Sequence, residues 1–207
     1  MSEWLDRLNG LGQLDSGICY ENGISQESIK KWLEEAEEGS AQAAYELGVC
    51  YLDGEGVAQS YSDAAFWWKK AAELGHKSAQ FNLGICYEEG KGVAQSYSDA
   101  FNWYFKAAEQ GHIPSQYNVG VFYYFGTGVT KSISDAINWW QKAAQNGFAS
   151  AQFNLGRCYE TGEGVTQSIK EAEKWYRLAS FKGHQKAKKK IIAFRKARLA
   201  QKKENNQ

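Results

Sequence analysis

The sequence lacks long hydrophobic runs and an N-terminal leader pattern. None of its 207 residues belongs to an apolar stretch of about 18 or more, the length that crosses a bilayer, so we expect no membrane insertion. The opening residues, MSEWLDRLNG, have no basic segment followed by an apolar one, so we expect no secretory signal. Hydrophobic residues still make up 43% of the chain and aromatic residues 14%, which excludes a disordered protein.

The sequence also lacks net charge, but its charges are unevenly distributed. Residues 182–207 hold ten of the 24 Lys and Arg residues and one of the 24 acids, which leaves 14 bases against 23 acids in residues 1–181. A basic segment of this kind could bind nucleic acid or an anionic membrane surface. Only two aromatic residues lie in or directly before the segment, Phe181 and Phe194, and the acidic body beside it would repel a polyanion. We therefore expect a basic capping helix and no nucleic-acid partner.

A repeat of 36 residues dominates the chain. SAQFNLGICYEEGKGV begins at Ser78 and SAQFNLGRCYETGEGV at Ser150, and related strings begin at Ala41 and Pro114. A shorter, degenerate copy precedes them. We assign five copies to residues 11–40, 41–77, 78–113, 114–149 and 150–185, between an N-terminal cap over 1–10 and the basic C-terminal helix and tail over 186–207. A single copy cannot bury its apolar face alone, so neighbouring copies must stack.

Each copy contains the signals of two helices, which we call helix A and helix B. In the third copy, apolar residues recur at helical spacing, and Gly84 allows helix B to approach closely. Gly90 ends helix A, and Ser96 with Asp99 forms the start of helix B. The pattern predicts an all-α fold, an α-solenoid of about five two-helix repeats with terminal capping helices.

The recurring pattern resembles a known repeat. A-x-x-x-L-G-x-x-Y-x-x-G-x-G-V followed by A-x-x-W-[WY]-x-K-A-A-x-x-G is similar to the SEL-one-like repeat (SLR), a relative of the tetratricopeptide repeat, over about 175 residues. The resemblance implies a right-handed superhelix that serves as a protein-interaction scaffold, often in bacterial signalling, host contact or toxin–immunity systems. It implies no catalytic residues.

The four cysteines occupy one equivalent position of the repeat. Equivalent atoms of adjacent copies should lie about 10 Å apart, whereas a disulfide needs Cα atoms within about 7 Å. No C-x-x-C pair suggests zinc. We expect buried thiols in a reduced cytoplasm, at Cys19, Cys50, Cys86 and Cys158.

No catalytic, cofactor or metal site is predicted. The G-x-G turns lack the spacing of a phosphate-binding loop, and we interpret them as helix-ending turns. His76, His112 and His184 each follow the glycine that ends helix B, which favours a capping or packing role. Some cysteine-rich SLR relatives bind or hydrolyse β-lactams. The resemblance places their disulfides at positions that are Ala72 and Gln80 in this chain, which puts that activity in doubt.

The positions that vary among copies are the candidates for recognition. By the resemblance, helix A lines the concave surface, and its variable face predicts a groove. The fourth copy replaces polar groups with aromatic rings, which predicts either an exposed hot spot or filling of a wider gap between copies. Acids among these residues favour a basic partner. The predicted partner-binding residues are Glu46, Asp53, Asn82, Ile85, Glu89, Asn118, Phe122, Tyr124, Phe125, Asn154 and Arg157.

These features favour a scaffold that binds a partner protein or peptide in the groove of the solenoid. Two alternatives remain at this stage. One is an immunity or regulatory protein that neutralises a toxin or effector by binding it. The other is an enzyme similar to the β-lactam hydrolases of the cysteine-rich relatives. The opposite charges of body and tail predict a monomer or weak head-to-tail self-association.

Overall fold

The computed structural model describes residues 24–204, with side chains through residue 200. This range contains ten α-helices and no strand. The predicted N-terminal cap, helix A of the first copy and Cys19 lie outside it. The helices are α1 (Gln26–Glu37), α2 (Ala41–Asp53), α3 (Tyr61–Glu73), α4 (Lys77–Glu89), α5 (Tyr97–Glu109), α6 (Ile113–Phe125), α7 (Ile133–Gln145), α8 (Ala149–Thr161), α9 (Ile169–Phe181) and α10 (Gln185–Glu204).

The helices stack in sequence order. Every closely packed helix pair within residues 24–204 consists of consecutive elements. α1 is helix B of the first copy, α2 to α9 are the A–B pairs of the next four copies, and α10 closes the series. The predicted all-α solenoid is confirmed. No helix in this part of the chain is long and apolar enough to cross a bilayer.

The helix ends follow the predicted signals. The serine before helix B accepts a hydrogen bond from the backbone N–H three residues later, as from Asp99 to Ser96 Oγ at 3.3 Å. Helix A ends at a glycine with positive φ, 69° at Gly90, a conformation that other residues rarely adopt. The other helix-B serines that cap in this way are Ser25, Ser60, Ser132 and Ser168.

A second group of glycines is required by close packing. A Cβ atom added to Gly84 would lie 2.6 Å from Tyr104 Cδ1, so helix B could not approach helix A. In the following turn, a Cβ atom added to Gly92 would lie 2.8 Å from the backbone nitrogen of Ser62, in helix B of the preceding copy. The first glycine therefore joins the two helices of one copy, and the second joins one copy to the next.

A glutamine also joins each of the last three copies to the one before it. Gln80 Nε2 donates to the carbonyl of Ala72 at 3.1 Å, which links the start of α4 to the end of α3. These are the positions that the resemblance assigns to a disulfide in cysteine-rich relatives. The same hydrogen bond recurs at the next two junctions, from Gln116 to Ala108 and from Gln152 to Ala144.

The histidines cap helices and stack on aromatic rings. His76 Nδ1 accepts from the Ala79 backbone at 3.1 Å, and its ring stacks on Tyr45 of the preceding helix A at 4.4 Å between centroids. The predicted capping and packing role is confirmed. The other histidines behave alike, since His112 packs on Phe81 and His184 on Phe153. Phe148 occupies the equivalent position before α8, where it packs on Tyr117 but makes no capping hydrogen bond with its side chain.

The basic helix α10 packs on the fifth copy. Ala187 is fully buried, and Ile191 and Phe194 pack against the cluster around Tyr176. Lys190 Nζ lies 2.8 and 2.9 Å from the two carboxylate oxygens of Glu160. A further ion pair joins Arg198 to Glu173. Two bases of the segment thus pair with acids of the solenoid.

Candidate functional site

Five of the eleven predicted groove residues are not at the surface, and for them the predicted exposure is wrong. Helix A packs against helix B and against the neighbouring copies on both sides, so its residues 43–50 and 79–86 are buried without interruption. The ladder of asparagines is therefore part of the core in the third and fourth copies. The buried residues are Glu46, Asn82, Ile85, Asn118 and Phe122.

Four of the remaining six lie together. Tyr124 and Phe125 at the end of α6, with Asn154 and Arg157 in α8, line one pocket of about 270 Å³. We call it the aromatic pocket. Asp53 and Glu89 lie elsewhere, on α2 and α4. The other residues that line the aromatic pocket are Tyr117, Val121, Trp140, Ser150, Phe153, His184 and Lys186.

Aromatic rings form much of the pocket wall. The Tyr124 ring lies 5.3 Å from Trp140 and meets Phe125 edge to face at 4.9 Å. On the opposite side, Phe153 stacks on His184 at 4.5 Å with an interplanar angle of 20°. Phe125 remains 49% exposed, so an apolar ring stands at the surface. Part of the predicted aromatic patch is therefore exposed, although Phe122 is not.

A chain of polar contacts orients the rim of the pocket. Arg157 Nη2 donates to the Tyr124 hydroxyl at 3.3 Å, and that hydroxyl donates to Glu163 Oε2 at 2.9 Å. Partial burial raises the pKa of Tyr124, and the hydrogen bond to Glu163 raises it further. The hydroxyl thus remains a proton donor at neutral pH, with the Arg157 guanidinium beside it.

Tyr124 occupies a position at which other copies carry a carboxylate. Glu88 in the third copy accepts from the buried Tyr104 hydroxyl at 2.8 Å, and Glu160 in the fifth accepts from Tyr176 at 2.5 Å. The second and fourth copies carry Trp68 and Trp140 at the tyrosine position, with Leu52 and Tyr124 at the glutamate position. Neither indole Nε1 has a hydrogen-bond partner. In these four copies, a tyrosine in helix B thus occurs with a glutamate in helix A, and a tryptophan with a residue that has no carboxylate.

Two of the three predicted groove acids are already occupied. Glu46 is buried and accepts from Gln42 Nε2 at 2.6 Å, and its burial raises its pKa. Glu89 Oε2 lies 2.6 Å from Lys91 Nζ. Of the three acids on which the expectation of a basic partner rests, only Asp53 remains.

The described residues offer little for catalysis or metal binding. Within residues 24–204, no group of three or more His, Cys, Asp and Glu side chains is placed to hold a metal ion. The three described cysteines are buried free thiols, as predicted. Desolvation raises the pKa of Cys50 and Cys86 to about 12 and of Cys158 to about 11, so they are poor nucleophiles at neutral pH.

The repeat itself decides the family. The Sel1 repeat model matches residues 41–76, 77–112, 113–148 and 149–184. The chain belongs to the Sel1 repeat family. A comparison with curated proteins returns no match.

Two solved Sel1-type structures are similar to this chain. The protective antigen c5321 of uropathogenic Escherichia coli, which displays an SLR fold, is 31% identical with a TM-score of 0.78. The match covers 81% of this chain and 36% of c5321, so the chain spans about a third of that protein. A Sel1 repeat protein from Oxalobacter formigenes is 30% identical with a TM-score of 0.71, covering 79% of this chain and 72% of that one.

In this Sel1 repeat chain the aromatic pocket depends on its place beside α10. Two periods earlier, α6 covers the equivalent site, and Phe81 and Asn82 are 1% and 0% exposed. At the fifth copy, α10 carries Lys186 and Ala193 where α6 carries Pro114 and Val121, and Asn154 is only partly buried.

The sequence interpretation missed part of the pocket wall, including Phe153, His184 and Lys186. For Lys186 the signal is its difference from Pro114, the equivalent residue two periods earlier, whereas Phe153 and His184 are identical to their counterparts Phe81 and His112 and give no such signal.

Proposed function

We propose that the chain is a scaffold that binds a partner protein, with the aromatic pocket as the anchor of that interaction. Sel1 repeat proteins generally mediate protein–protein interactions, which supports the class of activity. The single observation that carries the site is the clustering of Tyr124, Phe125 and Arg157 around one opening with Phe125 half exposed. Aromatic residues and arginine are the side chains most enriched at interface hot spots.

The size of the pocket favours a side chain of a partner over a free small molecule. Pockets for drug-sized ligands typically enclose about 300–1,000 Å³. The aromatic pocket, at about 270 Å³, is smaller than that range. It suits one or two side chains of a segment that continues along the surface of the A helices.

Photo-cross-linking tests the proposed site directly. A benzophenone amino acid is placed at Phe125 in one sample and at Phe66 in a second, because Phe66 is 52% exposed on α3, away from the pocket. We expect a protein adduct from position 125 alone. Excess wild-type chain without the benzophenone residue should suppress this adduct. An excess of the Tyr124→Leu/Phe125→Asp variant, which has the residue types of Leu52 and Asp53 at these positions, should leave the adduct unchanged. Equal adducts from both positions, or equal suppression by both competitors, would contradict the proposal.

We propose no reaction for the chain. Sel1 repeat proteins are generally non-catalytic scaffolds, and the raised thiol pKa values fit a structural role for the cysteines. The enzymatic alternative predicts turnover of a chromogenic β-lactam by the purified chain. Saturable hydrolysis that persists through repeated purification would overturn the scaffold proposal.

A further inference from the structure

We infer that the aromatic pocket recognises a partner segment in which an acidic side chain lies close to an apolar one. This inference rests on the proposed function and names the chemistry of the ligand. Among the eleven residues that line the pocket, the two with a formal charge are Arg157 and Lys186, and neither Asp nor Glu is present. The lining residues thus carry two cations and no anion, and the one carboxylate bonded at the rim, Glu163, is held by the Tyr124 hydroxyl.

Arg157 is placed to bind a carboxylate. Its guanidinium donates to the neutral Tyr124 hydroxyl, and no carboxylate within residues 24–204 forms an ion pair with it. The nearest candidates are engaged elsewhere, since Glu160 binds Lys190 and Glu163 accepts from Tyr124. A guanidinium offers several donors in a fixed plane, a geometry that matches a carboxylate.

The apolar wall sets the second requirement of the ligand. Tyr117, Val121 and Phe153 lie inside the pocket, and the half-exposed Phe125 stands at its edge. An apolar side chain that enters here would displace water from these rings. In an extended segment, side chains two positions apart project to the same side. The acid should therefore lie two residues from the apolar anchor.

The position of the pocket in the solenoid strengthens the charge preference. The equivalent site two periods earlier carries Asp53, Ile85 and Pro114, so it offers no cation. The aromatic pocket instead borders the basic helix α10, whose Lys188 and Lys189 are exposed. These charges add positive potential at one end of an otherwise acidic surface. An acid in the ligand would therefore fix which end of the groove the segment occupies.

A displayed random heptapeptide library, selected against the full chain, tests this inference. The displayed peptides are fused through their C-termini and so carry no free terminal carboxylate. Enrichment of acids among the selected peptides therefore reflects Asp and Glu side chains. We expect peptides with an acid two positions from a large apolar residue. In the best peptide, exchanging the acid for its amide should weaken binding about three- to fivefold, as for one exposed ion pair, with a smaller effect at high salt.

Matched variants separate the charge inference from the proposed function. Arg157→Gln should abolish the preference for acid over amide, whereas Arg195→Gln, which removes an exposed charge on α10, should keep it. Selected peptides without acid enrichment, or an unchanged preference in Arg157→Gln, would overturn the inference. If such peptides still lose affinity for Tyr124→Leu/Phe125→Asp, the proposed function stands and only the charge preference fails. Binding unaffected by that double variant would refute the anchor site itself.

Discussion

Substitutions of the two residues joined by the hydrogen bond between Tyr104 and Glu88 should have non-additive effects on stability. Tyr104 is fully buried, and its hydroxyl donates to Glu88 Oε2 at 2.8 Å. Glu88→Leu removes this acceptor and leaves a buried hydroxyl without it, which costs about 2 kcal/mol. Tyr104→Phe removes the donor and costs about 1 kcal/mol. The leucine itself fits the fold, because Leu52 stands at the same position beside Trp68.

The double variant Glu88→Leu/Tyr104→Phe should recover most of the loss. Both polar partners are then absent, so the remaining cost is about 1 kcal/mol, and the coupling between the two sites is about 2 kcal/mol. Thermal unfolding followed by circular dichroism measures this, since Glu88→Leu alone should lower Tm by about 4–8 °C in a chain of this size. Strictly additive losses, with a coupling below about 0.5 kcal/mol, would refute the interpretation that the helix-B tyrosine and the helix-A glutamate form one hydrogen-bonded unit of the repeat.

Two further predictions concern the capping histidine and the thiols. His184 Nδ1 accepts from the Ala187 backbone, and burial, then the nearby Lys186 charge, lowers its pKa below 6.5. The unfolded chain therefore binds a proton at this histidine more readily than the folded chain does. The free energy of unfolding should fall as the pH drops from about 8 to 5. It should fall less in His184→Asn, because the amide caps the helix without titrating. Cys50 and Cys158 should resist iodoacetamide in the folded chain, as measured by peptide mapping, because their pKa values are raised to about 12 and about 11. Rapid alkylation of the folded chain would contradict their burial.

The sequence predicted the fold because every local signal repeats in register. Ser96 begins helix B, Gly90 ends helix A, and Gly84 admits the ring of Tyr104. Each feature depends on a few neighbouring residues, so a pattern of spacings captures it. The capping role of His184 follows from the same kind of local argument.

The groove was harder to predict because burial depends on what covers a helix. The spacing of apolar residues indicates one buried face on helix A. In the structure, however, α4 packs against both α3 and α5, and Phe81 and Val119 belong to one cluster across copies. Asn82 is consequently buried, while Asn154, at the same position of the repeat, lies beside the pocket. The two asparagines differ in their neighbours, because the next helix A after α4 is α6, whereas α8 is followed by α10, with Lys186 in place of Pro114. No spacing within one copy contains that information.

The central claim is that a partner protein docks at the aromatic pocket, and calorimetry with the protein captured by cross-linking at position 125 tests it most directly. The comparison uses wild type, Tyr124→Leu/Phe125→Asp, and the control Phe66→Asp, which removes an equally exposed ring on α3. We expect affinity at least about tenfold weaker for the double variant, as for loss of a hot spot, and unchanged affinity for the control. Equal affinity of all three proteins for the captured partner would contradict the claim.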